Sequence, residues 1–440
     1  WPGRCRGPVG RRYAENGGKE EGMFFESVTI ENFKAIDRMQ ITFQPGINLL
    51  IGDNGAGKTA VLEALIVALG GFLAGAKGIS VQGIHQTDVR FEKINLAGAS
   101  SGIRYFCPTS VEAEFCMENE KFSCARIRND ETGASKTRTS AKKLSAYAAK
   151  LLNDPEAKLP LLGYHSTARV PQFRREDFGT ASRNKLDDRR CGYIGCLDSS
   201  KDIKSIREWC LKMEMAAYHK QKKIPEYEEF KATVADFMYQ MNDLKELPEI
   251  YYSRQFEELV YVERGVEIPV KYLSAGYQSL LWMVMDMAFR LALLNPENSR
   301  AADAEGIILI DEIDMHLHPK WQWKVLDVLS RSFPKVQFIA ATHSPIIIAS
   351  CKEARLIQLE NSRQVTYLPD AYAYSVEDVL EFRQGSGGIL RELRQLYDEF
   401  EVALNEEDDE KAERILKEMT ERFGEDNTEV KNARAELELG

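Results

Sequence analysis

No stretch of this sequence reaches the roughly 20 consecutive apolar residues that span a bilayer. The most apolar segment, Ala60–Leu73, is short and interrupted by glycine, so a membrane role is not expected. A basic excess is also missing: 58 Lys and Arg stand against 68 Asp and Glu, a net charge of −10. A DNA or RNA contact therefore needs a local basic patch, because no global field attracts a polyanion. The 8 cysteines, Cys5, Cys107, Cys116, Cys124, Cys191, Cys196, Cys210 and Cys351, form no CxxC pair. Cys191 and Cys196 have no matching His or Cys pair nearby, which favours free thiols in a reducing cytoplasm over a structural zinc site. Between Phe91 and Val262 there is no sustained heptad, so no long coiled coil, and the chain carries no internal repeat.

The 44% apolar content is that of a globular protein with a sizeable core. Residues 1–22 lack apolar periodicity and read as a disordered upstream segment, the regular pattern beginning at Met23. Phe24–Phe33, Met39–Phe43 and Ile47–Ile51 read as strands, and Lys58 to about Leu69 as a helix. Val111–Cys116, Phe122–Ile127, Leu159–Tyr164, Glu249–Ser253 and Leu259–Val262 are further strands. Ile203–Tyr218 and Tyr227–Asn242 have helical periodicity, as does the strongly apolar Ser279–Leu294. Gly306–Ile310 is a fully apolar strand suited to the middle of a parallel sheet, Val336–Ala340 and Arg355–Leu359 are a second and a third buried strand, and one helix covers Trp321–Phe333. Arg169–Arg190 is polar, arginine-rich and without period, a candidate loop. The residues after Ser375 form acidic amphipathic helices.

Five motifs carry chemistry. GDNGAGKT, Gly52–Thr59, matches the phosphate loop G-x-x-x-x-G-K-[ST] and sits between a strand and a helix, as that motif requires. Glycines let successive N–H groups turn toward phosphate oxygens, and the following helix points its positive end at the same anion. Gly52, Asp53, Asn54, Gly55, Ala56, Gly57, Lys58, Thr59 and Ala60 are the expected nucleotide-binding residues. Lys58 would reach the β- and γ-phosphates of ATP, and the Thr59 hydroxyl would ligate Mg²⁺. IILIDE, Ile307–Glu312, is a buried strand ending in two carboxylates, with Asp311 as the second Mg²⁺ residue and Glu312 as general base. YLSAGYQS, Tyr272–Ser279, puts a serine and a glycine at a helix N-terminus, a second phosphate cap. EIDMHLHPKWQ, Glu312–Gln322, and ATHSP, Ala341–Pro345, complete the set. The His316-x-His318 pair reads as structural, since further metal ligands are absent nearby.

LSAGYQ resembles the LSGGQ signature of ABC ATPases, with Ala275 and Tyr277 as departures. In that family the signature contacts the γ-phosphate of ATP held by a second protomer, so the resemblance implies an ATP-dependent homodimer or higher oligomer through Ser274, Ala275, Gly276 and Gln278. It also implies a D-loop residue, Asp314, and a switch histidine, His343. The LHP pattern and ENFKAI at Glu31–Ile36 are similar to the SMC/RecF/OLD-like branch and bring Asn32, Phe33 and Lys34 beside the nucleotide. For the Q-loop, Gln86 is the candidate, with Asp88 and Arg90 as alternatives and an ordinary exposed turn glutamine as the plain reading. The stretch Met23–Leu439 resembles stand-alone ATPases near the PtuA-like proteins of Septu and retron antiphage systems.

The resemblance implies an α/β P-loop NTPase of ABC type: a mixed, largely parallel sheet flanked by helices, with a helical lobe insertion and an acidic helical tail. The expected division is 1–22 upstream segment, 23–90 first half of the ATPase, 91–262 second lobe and insertion, 263–372 second half of the ATPase, and 373–440 tail. Neither a Toprim nor an HNH nuclease pattern appears, so the expected activity is Mg²⁺-dependent ATP hydrolysis that drives a partner nuclease or other effector, with DNA or RNA as a possible trigger. A RecF-like repair ATPase and an ATP-assembled scaffold are the alternatives. The Arg169–Arg190 loop is the candidate nucleic-acid or partner contact.

Overall fold

The computed structural model describes residues 22–76, 78–95, 101–133, 136–167, 188–198, 203–369, 371–372, 376, 379, 391–405, 408–425 and 427–439. The expectation for residues 1–21 and most of that for Arg169–Arg190 lie outside these. The chain divides into two compact units, Trp1–Asp370 and Ala371–Gly440.

The first unit begins with three strands, β1 (Met23–Phe33), β2 (Ile36–Thr42) and β3 (Ile47–Ile51), followed by α1 (Lys58–Leu73). Helix α1 is apolar on nearly every face and buried on nearly every face, as an all-round apolar helix must be. A hairpin of β4 (Phe91–Asn95) and β5 (Ser101–Tyr105) follows, then β6 (Thr109–Met117), β7 (Glu120–Arg128), β8 (Arg138–Ser140), α2 (Lys142–Asn153) and β9 (Leu161–His165). Helices α3 (Ile203–Lys220) and α4 (Pro225–Asn242) precede a small sheet of β10 (Glu249–Ser253), β11 (Glu258–Glu263) and β12 (Val266–Pro269). Next come α5 (Ala275–Leu294), β13 (Glu305–Ile310), α6 (Pro319–Gln322), α7 (Val325–Ser332), β14 (Lys335–Ala341), α8 (Pro345–Ser350), β15 (Arg355–Glu360) and β16 (Gln364–Leu368).

Two sheets form the core. A five-stranded antiparallel sheet runs β2-β1-β6-β7-β8, and a six-stranded mixed sheet runs β16-β15-β3-β14-β13-β9. In the second sheet every pairing is parallel except β15 with β16. Its central strands β3, β14 and β13 are buried along nearly their whole length and mostly apolar, with Asn48 and Gln337 as buried polar members. Helix α1 packs among these elements, with Val61, Leu65 and Phe72 fully buried. This is the expected P-loop architecture.

Several elements differ from the sequence reading. The single helix expected over Trp321–Phe333 is two, α6 and α7. The α6 end closes with the Trp323 N–H on Pro319 O and the Lys324 N–H on Trp321 O, and the chain restarts at Val325. Strands β4, β5, β8, β12 and β16 are short and partly exposed, so their alternation is poor, and the sequence did not signal them.

The second unit contains α9 (Arg391–Asn405), α10 (Asp409–Phe423) and α11 (Thr428–Leu439). Leu393, Phe400, Ala403, Ala412, Met419, Val430 and Ala433 make its own apolar core.

Candidate nucleotide site

Strand β3 delivers the chain into Gly52, and the next five residues turn back onto α1. Gly52, Gly55 and Gly57 all have positive φ, at 140°, 83° and 103°. A Cβ on Gly52 would stand 2.3 Å from the Leu359 carbonyl oxygen, so both its conformation and its neighbour demand glycine. Asp53, Asn54 and Gly55 are exposed at the tip, whereas Lys58 is 6% exposed. The Lys58 ammonium donates to Gly52 O at 2.7 Å and Asp53 O at 3.0 Å, curling back over the loop. Burial lowers its pKa, while Asp311, Asp53, Glu312 and Asp314 pull the other way, so four carboxylates surround one cation.

Asp311 follows β13 and is 4% exposed. Its N–H donates to His165 O at 2.8 Å, continuing the β9 pairing past the strand end. Its carboxylate accepts from the Thr59 hydroxyl at 3.0 Å. The two predicted metal-binding residues thus meet, and both offer hard oxygen donors of the kind Mg²⁺ takes. Glu312 occupies the left-handed region at φ 44°, a strained conformation for a non-glycine residue.

Asp314 joins the predicted D-loop segment to the predicted switch segment within one chain. Its carboxylate accepts from the Thr342 hydroxyl, and the His343 N–H reaches the same oxygen at 3.4 Å. His343 is partly buried. Burial first, and then the Lys58 charge, lower its pKa, so the imidazole is neutral near pH 7.

The predicted signature lies at the start of α5. Ser274 caps the helix, its hydroxyl accepting from the Tyr277 N–H, and Ser274 and Ala275 are exposed. A Cβ on Gly276 would stand 2.7 Å from His316 O, so glycine lets the signature press onto the segment after Asp314. Gln278 departs from the outward role expected of it. It is 8% exposed, and its amide donates to Leu273 O at 2.8 Å and Lys271 O at 3.1 Å, shaping the turn instead. Tyr277 packs edge-on against Trp321 with ring centroids 4.8 Å apart. His318 Nδ1 accepts the Lys320 N–H as the cap of α6, and no group of three or more His, Cys, Asp or Glu side chains suited to a metal occurs among the described residues.

The Asn32–Lys34 turn is only partly as expected. Phe33 is 1% exposed and belongs to the core, because strand alternation points it inward. The Asn32 amide donates to Pro108 O at 3.0 Å. Lys34 pairs with Glu63 of α1. Gln86 is exposed and forms no hydrogen bond to the phosphate loop among the described residues; it lines a separate cleft with Arg126, Arg128 and Lys136. The alternatives, Asp88 and Arg90, contact the turn: Lys34 N–H donates to Asp88 O at 2.7 Å and Arg90 N–H to Asn32 O at 3.0 Å. At the other end of the arginine-rich segment, Arg189 is spent on the carbonyls of Leu294, Pro155 and Ala157, and Arg190 pairs with Asp188. Neither arginine is free for a polyanion.

Ser362 escaped the sequence reading. It sits in the β15–β16 turn, 3% exposed, and its hydroxyl donates to Gly55 O at 3.2 Å, bracing the phosphate loop. Its only local signal is the Asn361-Ser362 pair between two strands, both at positive φ.

An AAA domain family model matches residues 27–250, and a second AAA domain model matches residues 214–349. The chain is 24% identical to the "Retron Vc95 probable ATPase" of Vibrio cholerae serotype O1 biovar El Tor, over 74% of this chain and 71% of that protein. It is 25% identical to Septu protein PtuA of Bacillus mycoides over 87% of this chain, and spans 48% of that protein's length. The crystal structure of the SmcHead bound to the C-winged helix domain of ScpA aligns with a TM-score of 0.47 at 16% identity, over 78% of this chain and 97% of that one. No helix among the described residues is long and apolar enough to cross a membrane. With its phosphate loop and acidic strand end brought together, the chain belongs to the AAA domain family and is an ATPase, similar to the retron ATPase and to PtuA.

Proposed function

We propose that this protein binds ATP with Mg²⁺, closes on a second copy of itself, and reopens on hydrolysis, so regulating a nucleic-acid-directed effector of antiphage defence. The observation that carries the reading is the Thr59–Asp311 contact beside the buried Lys58. A hydroxyl, a carboxylate and an ammonium converge on a glycine cradle, and these residue types fit a magnesium triphosphate. Thr59 and Asp311 would hold the metal, which supplies charge neutralisation on the phosphates. Lys58 leaves its two carbonyl partners for phosphate oxygens. Glu312 orients and deprotonates the attacking water. His343, uncharged, offers a hydrogen bond from the switch segment, and Asp314 ties that segment to the seam.

The exposed Ser274 and Ala275 form the complementary face, received by the phosphate loop of the second copy. The Septu and retron relationships support the defence role and a partner effector. The test is sedimentation of the Glu312→Gln variant with ATP and Mg²⁺. A dimer is expected, lost in Glu312→Gln/Ser274→Arg. A monomer in Glu312→Gln under saturating ATP overturns the proposal.

A further inference from the structure

A cleft of about 640 Å³ opens between the segment after α1 and strand β7. Its walls carry Arg126, Arg128, Lys136 and His85, with Gln86 and Thr137 adding an amide and a hydroxyl, and none of the lining residues is acidic. In a chain of net charge −10, this is a local concentration of positive charge. Two acids that flank it are engaged locally: Asp88 accepts from the His85 N–H at 2.8 Å, and Asp130 from the Thr132 N–H at 3.0 Å.

Arg126 decides the reading. It is 3% exposed, and only its Nη2 is used, donating to Gln82 O at 2.8 Å. Its Nε and Nη1 are buried without a hydrogen-bond partner. Arg128 beside it differs, since its Nε and Nη1 donate to Asp130 O and Ile84 O. The fold makes room for the Arg126 head: a Cβ on Gly70 would stand 2.7 Å from Nη1. Burial pulls the guanidinium below its ordinary value. A buried cation without an acid is costly, and an anion in the adjoining cleft would offset that cost.

We propose that this cleft binds a small phosphorylated ligand through its phosphoryl or pyrophosphoryl group, at a site separate from the phosphate loop. The volume is in the range of small-molecule sites, roughly 300–1,000 Å³. Gly70 lies three turns along α1 from Lys58, about 18 Å at the helical rise per residue. The chain runs on from the lining residues His85, Gln86 and Thr87 to Asp88 and Arg90, which are hydrogen-bonded to the Asn32–Lys34 turn. Occupancy therefore has a backbone route toward α1, where Lys34 meets Glu63.

The proposal stands apart from the roles assigned to the phosphate loop, and Lys58→Ala separates the two. Inorganic pyrophosphate is titrated calorimetrically into the full chain carrying Lys58→Ala. One equivalent is expected to bind, with affinity reduced about tenfold or more by adding either Arg126→Met or Lys136→Glu. Lys136 is exposed, so its replacement tests the site even where Arg126→Met disturbs folding. The absence of binding in Lys58→Ala overturns the proposal, as does binding indifferent to Lys136→Glu. A single-stranded oligonucleotide that binds through Arg126 and Lys136 where pyrophosphate does not also overturns it, and assigns the cleft to nucleic acid.

Discussion

The Thr59 hydroxyl donates to the Asp311 carboxylate at 3.0 Å, although 252 residues separate them in the chain. Neither residue positions the other locally. Strands β3 and β13 flank β14 in one sheet, so the ends of two parallel strands, and the first turn of α1, arrive together.

Because that pair supplies the proposed metal donors, Thr59→Ala should require roughly 10–100-fold more Mg²⁺ for half-maximal ATP hydrolysis. The residue is exposed, so the folded state should be retained. Titration of ATPase rate against Mg²⁺ at saturating ATP checks this, and an unchanged midpoint removes Thr59 from the metal site.

Glu312→Gln should reduce turnover by about 10²–10⁴-fold, the worth of a positioned general base, while ATP affinity changes little. Single-turnover hydrolysis and equilibrium binding measured on the same variant separate the two effects. Equal losses in both would place Glu312 in binding instead.

Gly276→Ala should destabilise the protein by about 1–3 kcal/mol, the usual cost of overpacking. The added methyl meets His316 O at 2.7 Å and the Trp321 ring at 3.1 Å, and backbone cannot easily give way. Denaturant midpoints test it. Ser274→Ala, which removes only the helix cap, should cost about 1 kcal/mol.

His343 should make stability sensitive to acid. Its folded pKa is depressed by burial and then by Lys58, so the unfolded chain binds the proton more readily. The contribution is present above the unfolded value, near 6.5, and is lost as pH falls through the folded one. His343→Gln should therefore lose less stability than the parent between pH 7.5 and about pH 5.5. Parallel denaturation curves at both pH values decide it.

Breaking the buried Asp286–Arg290 pair on α5 should be costly. Its closest approach is 3.0 Å, and both side chains are under a tenth exposed. Asp286→Ala leaves Arg290 charged and buried, at a cost of about 3–5 kcal/mol. Arg290 also donates to Gly192 O and Ile194 O, so the turn before α3 should loosen with it. A rise in hydrogen exchange there is the expected readout, and an unaltered pattern would show that Arg290 finds other support.

The sequence by itself determined the chemistry of the phosphate loop and the order of the parts around it. Glycine spacing, the largely apolar strands β3, β13 and β14, and the acids after Ile310 are local signals, since a buried parallel strand is mostly apolar and a phosphate cradle must be glycine-rich. Tertiary structure decided what those signals leave open. Gln278 and Phe33 look equally available in sequence, yet one amide is spent on two carbonyls and the other ring is in the core. Gln86 follows α1 as a coupling residue should, but Asp88 and Arg90 make the contact with the Asn32–Lys34 turn. Ser362 and Arg126 had no motif at all. Their roles come from burial and from neighbours distant along the chain, Gly55 for one and Gly70 for the other, and only the packed fold sets those distances.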